Sequence, residues 1–169
     1  DTLEAEACTG LSGVPSTFAI LLNRSNLAER ELAHLRYVTQ AGGAMSPELT
    51  RRLMKALPGK QVFIMYGATE ASARLSWLPP ERLTEKYGSI GVGIPGVSLT
   101  VRRPDGSECD PDEPGELVHR GALVSLGYWG DPGRTAERFK PAPGQLEERC
   151  ALEVRNSRDL VPHPNRLRE

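Results

Sequence analysis

Five consecutive residues, Tyr66-Gly67-Ala68-Thr69-Glu70, carry the side chains that binding a nucleotide needs. The Tyr66 ring can stack on a purine, the Thr69 hydroxyl can donate to a phosphate oxygen, and the Glu70 carboxylate offers the hard oxygen that Mg²⁺ prefers. Gly67 supplies a flexible hinge between the ring and the polar pair. A strand followed by a capped turn would use the same residues without any ligand, so the pentapeptide alone leaves both interpretations open.

The segment before Gly67 predicts the element that positions these side chains. Val62–Tyr66 is a continuous apolar run, which is typical of a strand buried on both faces. A helix is predicted upstream, beginning at Ser46-Pro47-Glu48 and ending at Pro58-Gly59, and Tyr37-Val38-Thr39 predicts a strand before it. Strand, helix and strand in this order indicate a parallel α/β unit, whose ligands gather beyond the carboxyl ends of the strands.

Two further helices are predicted closer to the start of the chain. Pro15–Leu22 is an apolar run that opens with proline, and Asn26–Arg36 is a more polar pattern. Three leucines would share one face of the second helix: Leu27, Leu32 and Leu35.

The sequence changes in character after Gly88, where Gly, Pro and Asp become frequent. Val97–Arg102 alternates apolar and polar residues as a strand does, Asp105-Gly106 is a hairpin signal, and Gly115–Arg120 predicts another strand. We therefore predict the α/β class with a parallel sheet. A partial α/β subdomain spans 1–87, and a β-rich subdomain with an irregular tail spans 88–169.

Composition excludes several classes of protein. A formal net charge of -1 and a pI of about 6.4 give no basic surface for nucleic acid, and no apolar run reaches the ~18 residues of a membrane span. The cysteines and histidines have no spacing typical of a disulfide framework or a metal site, so reduced thiols and a cytoplasmic location are expected. These residues are Cys8, Cys109, Cys150, His34, His119 and His163.

Five motifs in order resemble the adenylate-forming acyl-CoA synthetase (ligase) family. Their order and approximate spacing are those of the family. They are GVPSTFAILL (13–22), TQAGGAMSPEL (39–49), MYGATEAS (65–72), GSIGVGIPG (88–96) and GELVHRGALVSLGYWGDPGRTAERF (115–139). The resemblance implies the N-terminal-domain fold of that family. It also implies activation of a carboxylic acid by ATP, giving an acyl-adenylate that passes to coenzyme A.

The resemblance also implies roles for the pentapeptide. Tyr66 would stack on adenine, with Gly67 beside it in the nucleotide-binding motif. Thr69 would contact the α-phosphate, and Glu70 would hold Mg²⁺. The expected cofactors are thus ATP or AMP, Mg²⁺ and coenzyme A.

Two other segments match ligand-binding or structural parts of the family. Gly42, Gly43 and Ala44 would form the close wall between adenine and the acyl group, although a plain loop after a strand is the alternative. The signature that ends in Tyr128-Trp129 is interpreted as structural, with both rings packing.

The match to the family weakens in the stretch EVRNSRDLV (153–161). The resemblance would make Asp159 the equivalent of the family's ribose-binding aspartate, but Arg158 stands where the family has glycine. A surface Asp-Arg pair is the alternative interpretation.

The chain starts at Asp1 without methionine and ends on a polar stretch with two prolines, so we expect a partial chain. The family's phosphate loop and catalytic lysine would lie outside it, which predicts that this polypeptide is inactive alone. A non-catalytic nucleotide-binding or assembly module, completed by a partner chain, is the alternative. A product without a molecular role is a third hypothesis. Open sheet edges would favour self-association.

Overall fold

The computed structural model describes residues 2–141 and 149–151. These residues group into two compact units. Residues 2–66 and 77–91 form the first unit, and residues 67–76, 92–141 and 149–151 form the second. The predicted domains, 1–87 and 88–169, remain a prediction.

The first unit is an α/β layer built on a parallel sheet. Its strands lie in the order β1-β2-β3-β4, and β2 runs parallel to both β1 and β3. The elements are α1 (Thr2–Ala5), β1 (Gly10–Gly13), α2 (Pro15–Arg24), β2 (Tyr37–Gln40), α3 (Pro47–Ala56), β3 (Gln61–Tyr66) and β4 (Ser76–Leu78), of which only the first residue is assigned to the second unit. The predicted strand-helix-strand unit is β2-α3-β3, and the predicted helix from Pro15 is α2. Both predictions are confirmed.

Helix α3 begins as the sequence predicts. Ser46 precedes it and accepts a hydrogen bond from the Leu49 amide at 3.2 Å, with Pro47 at the first helical position. Leu53 faces the core with no exposed surface and packs with Phe18 and Val38. The helix therefore fixes how the chain travels from the end of β2 to the start of β3.

The predicted helix over Asn26–Arg36 is wrong. Only a 3₁₀ turn forms there, over Leu27–Glu29. Helix α2 ends before Ser25, whose backbone is extended, and the Ser25 hydroxyl donates to the Leu21 carbonyl at 2.7 Å and accepts from the Leu27 amide at 3.2 Å. The three predicted leucines are nevertheless buried, so burial in the core, rather than helical periodicity, places them.

Burial of β3 is less complete than its apolar run predicts. Val62 is buried, but the four residues from Phe63 to Tyr66 are half-buried. The Phe63 ring lies between Tyr37, at 6.1 Å between centroids, and Trp77, at 5.9 Å. Aromatic neighbours cover this strand in place of a fully closed core.

The second unit contains an antiparallel sheet in the order β6-β7-β9-β8. The elements of this unit, of which β5 and α4 lie outside that sheet, are β5 (Val92–Gly93), β6 (Val97–Arg102), β7 (Glu116–Gly121), α4 (Pro132–Arg138), β8 (Phe139–Pro141) and β9 (Arg149–Ala151). The predicted strands are β6 and β7. The predicted turn at Asp105-Gly106 also forms, with Gly106 at φ +85° and its amide 2.9 Å from the Arg103 carbonyl. A small β-rich portion is confirmed.

Within the described residues, no helix combines the length and the apolar character needed to cross a membrane.

Candidate functional site

The carboxyl edge of the parallel sheet gathers one group of predicted site residues. Strands β2 and β3 are parallel and in register, with Gln40 opposite Ile64, so both end at the same edge. Gly42, Gly43 and Ala44 follow β2 there and are exposed, and half-buried Tyr66 is the last residue of β3. This is the edge at which parallel α/β sheets bind ligands.

A buried glutamine holds the loop after β2. The Gln40 side chain is 1% exposed, and its Nε2 donates to the Gly43 carbonyl at 2.7 Å. Gly42 takes φ +77°, and a Cβ there would lie 3.1 Å from Val14 Cγ1. The loop is therefore fixed by a side chain three residues away and by a backbone angle that glycine adopts freely. No feature of the sequence marks Gln40 as the residue that holds this loop.

The turn after β3 carries the polar pair of the pentapeptide. Thr69–Ala71 forms a 3₁₀ turn, in which Thr69 is exposed and Glu70 is half-buried. Gly67 precedes the turn, and a Cβ on it would lie 1.5 Å from the Ala73 carbonyl oxygen. Close approach of two backbone segments therefore requires glycine at 67, which is a steric role beyond the predicted hinge.

Three hydrogen bonds tie this turn to the loop that follows β7. The Ser125 amide donates to the Glu70 carbonyl at 2.8 Å, and the Ser72 hydroxyl donates to the Leu123 carbonyl at 3.1 Å. The Tyr128 hydroxyl donates to Glu70 Oε1 at 2.6 Å. Two motifs that are far apart in the sequence are thus joined at the Glu70 backbone and side chain.

The electrostatics at Glu70 favour the carboxylate. The hydrogen bond from Tyr128 is the largest influence and holds the Glu70 pKa below its ordinary value of 4.5, against the opposing effect of burial. The same bond raises the Tyr128 pKa. At neutral pH, a neutral phenol therefore donates to an ionised carboxylate.

Only limited metal-binding chemistry is present around Glu70. Among residues 2–141 and 149–151, no cluster of three or more His, Cys, Asp or Glu side chains could hold a metal. One ionised carboxylate fits Mg²⁺, which keeps several waters and is commonly held by one or two carboxylates together with substrate phosphates. Glu70 therefore suits a metal that arrives with a nucleotide better than a resident ion.

His119 lies on β7 and is 1% exposed. Burial lowers its pKa, while the charge of Glu70 acts in the opposite direction. His119 is therefore a buried residue of this strand. His34 is exposed.

The two aromatic residues of the late signature behave differently. Tyr128 packs edge-on against Phe139 at 5.5 Å between centroids, so the prediction of packing is confirmed for this ring. Trp129 is 102% exposed, and the same prediction is wrong for it. Tyr128 also binds Glu70, a contact that the sequence does not predict. Asp159 lies outside the described residues.

A parallel α/β sheet whose carboxyl edge carries a glycine-rich loop is typical of nucleotide-binding proteins. Comparison with protein families then identifies the particular family. The model of the family described as "AMP-binding enzyme" matches residues 1–129, and the chain belongs to this family.

Relatives of known activity share this similarity. The mitochondrial medium-chain acyl-CoA ligase ACSF2 of Mus musculus is 31% identical over 139 residues, covering 81% of this chain and 23% of the relative. A long-chain-fatty-acid–CoA ligase of Yersinia pestis is 33% identical over 132 residues, covering 78% and 23% respectively. The chain therefore spans about a quarter of the length of these relatives.

Solved structures show the same arrangement. VinN is 34% identical with a TM-score of 0.70, over 81% of this chain and 35% of that protein. O-succinylbenzoate coenzyme A synthetase (MenE) from Bacillus subtilis, in complex with AMP, is 28% identical with a TM-score of 0.70. The match covers 82% of this chain and 28% of that protein. The predicted relation to the N-terminal part of adenylate-forming enzymes is confirmed for the fold.

Proposed function

We propose that this chain is part of the nucleotide-binding region of an AMP-forming acyl-CoA synthetase. In this reaction, a carboxylate oxygen attacks the α-phosphorus of ATP, and the bond to pyrophosphate breaks, which leaves an acyl-adenylate. The thiol of coenzyme A then takes the acyl group and releases AMP. The family assignment supports this proposal, as does the similarity to a coenzyme A synthetase that binds AMP.

The observation that carries the proposal is the ionised Glu70 carboxylate on the turn directly after β3. We assign Glu70 to Mg²⁺, which would neutralise phosphate charge when bound with the nucleotide. Thr69, whose side chain is exposed, would donate to an α-phosphate oxygen.

The remaining assignments concern the base, the ribose and the acyl group. Tyr66 would stack on adenine, with Gly67 beside it, and Asp159 would accept hydrogen bonds from the ribose hydroxyls. The exposed loop Gly42-Gly43-Ala44 would form the wall between adenine and acyl group, where two residues without side chains permit close approach.

The acid substrate is proposed to be a fatty acid, because the two relatives above are named as ligases of medium-chain acyl groups and long-chain fatty acids. We place the protein in the cytoplasm because its three cysteines have no disulfide-framework spacing.

We further propose that the 169-residue chain binds nucleotide but does not catalyse acyl-adenylate formation alone. Charge builds on the α-phosphate during attack, and its stabilisation depends on positioned cations. The four lysines of the chain lie in settings that do not match the family's catalytic lysine: Lys55, Lys60, Lys86 and Lys140.

Calorimetric titration of the chain with ATP and AMP tests the binding half of the proposal. We expect the unsubstituted chain to bind nucleotide saturably and more tightly when Mg²⁺ is present. In the Glu70→Gln variant, Mg²⁺ should no longer change the affinity for nucleotide. The matched control is Glu81→Gln, an exposed carboxylate in another 3₁₀ turn, which should bind as the unsubstituted chain does. Absence of nucleotide binding by a folded chain would reject the proposal.

Pyrophosphate exchange with a panel of fatty acids tests the proposal that the chain is inactive alone. Robust exchange would contradict that inactivity.

A second candidate function, a non-catalytic module completed by a partner chain, is favoured by one observation. Trp129 and Leu126 are 102% and 77% exposed within a single loop, so two large apolar side chains are open to solvent close together in the sequence. Co-purification from the native host would support this function through a stoichiometric partner, and Trp129→Ala should then release that partner. A chain recovered alone would count against it.

A further inference from the structure

Tyr128 touches the candidate metal ligand and has no role in the function proposed above. Its hydroxyl lies 2.6 Å from Glu70 Oε1, a short distance typical of hydrogen bonds to a charged acceptor. The two residues are 58 positions apart in the sequence. The contact therefore depends on the fold and not on a local motif.

The surroundings hold the Tyr128 ring in place from two sides. Phe139 packs against it edge-on, at 5.5 Å between centroids, and the Arg134 guanidinium lies 5.3 Å from the ring centroid. The Thr135 hydroxyl accepts a hydrogen bond from the Tyr128 amide at 2.9 Å. With ring and backbone both fixed, the hydroxyl has one well-defined position from which to donate.

The same loop also fixes the Glu70 main chain. The Ser125 amide donates to the Glu70 carbonyl at 2.8 Å, so Glu70 is held through its backbone and through one carboxylate oxygen. Tyr128 uses one lone pair of Oε1, so the carboxylate keeps lone pairs to offer to a metal. A carboxylate held in this way loses less conformational entropy when it binds an ion.

We infer that Tyr128 is a positioning residue, which orients the Glu70 carboxylate for Mg²⁺ that enters with the nucleotide. The inference rests on the proposed function, because it requires Glu70 to bind the metal. Hydrogen-bonding partners of metal ligands commonly contribute 10–100-fold to metal affinity, which sets the expected size of the effect at about tenfold.

The test is a double-mutant cycle of Tyr128→Phe and Glu70→Gln in the full chain. Tyr128→Phe keeps the ring that packs on Phe139, and thermal unfolding verifies that each variant is folded. The measured quantity is the ratio of the ATP dissociation constant in EDTA to that in saturating Mg²⁺. Tyr128→Phe should lower this ratio by about tenfold without changing ATP affinity in EDTA. In the Glu70→Gln background the same change should have no effect.

Tyr87→Phe is the matched control, because it removes a hydroxyl whose described contact is a 3.9 Å approach to Met54 Sδ. It should leave the ratio unchanged. A lower ATP affinity of Tyr128→Phe in EDTA would indicate a general structural role and overturn the inference. So would an unchanged ratio.

The cycle also separates the two claims. If Glu70→Gln lowers the ratio and Tyr128→Phe does not, only the positioning role of Tyr128 fails. If Glu70→Gln leaves the ratio of the unsubstituted chain intact, Glu70 does not bind the metal, and the proposed function and this inference fail together.

Discussion

The loop after β2 and the turn after β3 are held in opposite ways. In the loop after β2, the Gln40 side chain binds the Gly43 carbonyl, three residues away. The residue at positive φ in this loop is a glycine, Gly42. The turn after β3 depends on Tyr128, 58 residues away, and two residues other than glycine, Ser72 and Ala73, take φ values of 51° and 71°. One segment is thus held locally, with glycine at its positive φ, and the other has two non-glycine residues at positive φ and is held by distant contacts.

This difference shows where the candidate site is vulnerable. A non-glycine residue in the left-handed region costs about 1–2 kcal/mol, and such strain persists only where the surrounding structure fixes it. The loop 123–128 supplies those fixing contacts through Ser125 and Tyr128. We therefore expect substitutions in the turn after β3 to change the free energy of unfolding more than substitutions in the loop after β2.

Gly67→Ala should give the largest effect. Its Cβ would lie 1.5 Å from the Ala73 carbonyl oxygen and 2.5 Å from the Ala73 carbonyl carbon, so backbone must move. Such overpacking is expected to lower the free energy of unfolding by about 3 kcal/mol. Urea unfolding followed by circular dichroism measures the loss.

Gly133→Ala is the control for this clash. The nearest atom to a Cβ at Gly133 is Asp131 Oδ1 at 3.7 Å, and the residue lies in α4. Alanine there should stabilise the chain by about 0.5–1 kcal/mol, since glycine is a poor helix former. Equal effects of the two substitutions would show that the turn after β3 is not closely packed.

Gly42→Ala tests the loop after β2. Alanine must take φ +77° and place its Cβ 3.1 Å from Val14 Cγ1, and Val14 is 41% exposed, so this side chain has room to shift slightly. The expected loss in the free energy of unfolding is about 1.5 kcal/mol, mostly from the backbone angle. A loss as large as that of Gly67→Ala would remove the distinction between the two segments.

Ala73→Gly is the converse substitution in the strained turn. Glycine relieves the cost of φ 71°, about 1–2 kcal/mol, but adds about 0.5–1 kcal/mol of unfolded-state entropy. We expect a net stabilisation of about 0.5 kcal/mol, measured by urea unfolding. Ala136→Gly, within α4, should instead destabilise by about 1 kcal/mol. Destabilisation by both would mean that the turn stores no strain.

The same contrast explains which features the sequence could predict. Ser46 before α3 and the apolar β3 are local patterns, and both were predicted from neighbouring residues. The helix over Asn26–Arg36 failed because periodicity marks buried positions without fixing the backbone between them.

Long-range partners had no local signal. Nothing near Glu70 in the sequence indicates that Tyr128 will donate to it, and the expectation of packing for Tyr128 and Trp129 came from residue type alone. The sequence does not distinguish Gln40 from an ordinary polar residue at the end of a strand, although its buried side chain binds a nearby carbonyl. Such contacts become visible only once the strands are placed.

The smallest expected effect is the pH dependence of the Tyr128–Glu70 bond, measured without metal in EDTA. The pKa of Glu70 is lowered from 4.5 in the folded state, so its contribution to stability is present above 4.5 and is lost as pH falls through the folded-state pKa. The Tyr128 pKa is raised from 10.0, so the bond is also lost as pH rises through that higher value. The difference in free energy of unfolding between the unsubstituted chain and Tyr128→Phe should therefore be greatest between these limits.

Urea unfolding across the pH range measures that difference, which stays small because water screens a half-buried carboxylate. Tyr87→Phe should show a difference that does not change between acid and neutral pH, because the hydroxyl it removes approaches the Met54 sulfur, which does not titrate. A Tyr128→Phe difference that is equally large well below pH 4.5 would mean that the hydroxyl stabilises the fold without the Glu70 charge. The turn after β3 would then be held by packing and backbone contacts alone, as the loop after β2 is held by Gln40 and its glycine.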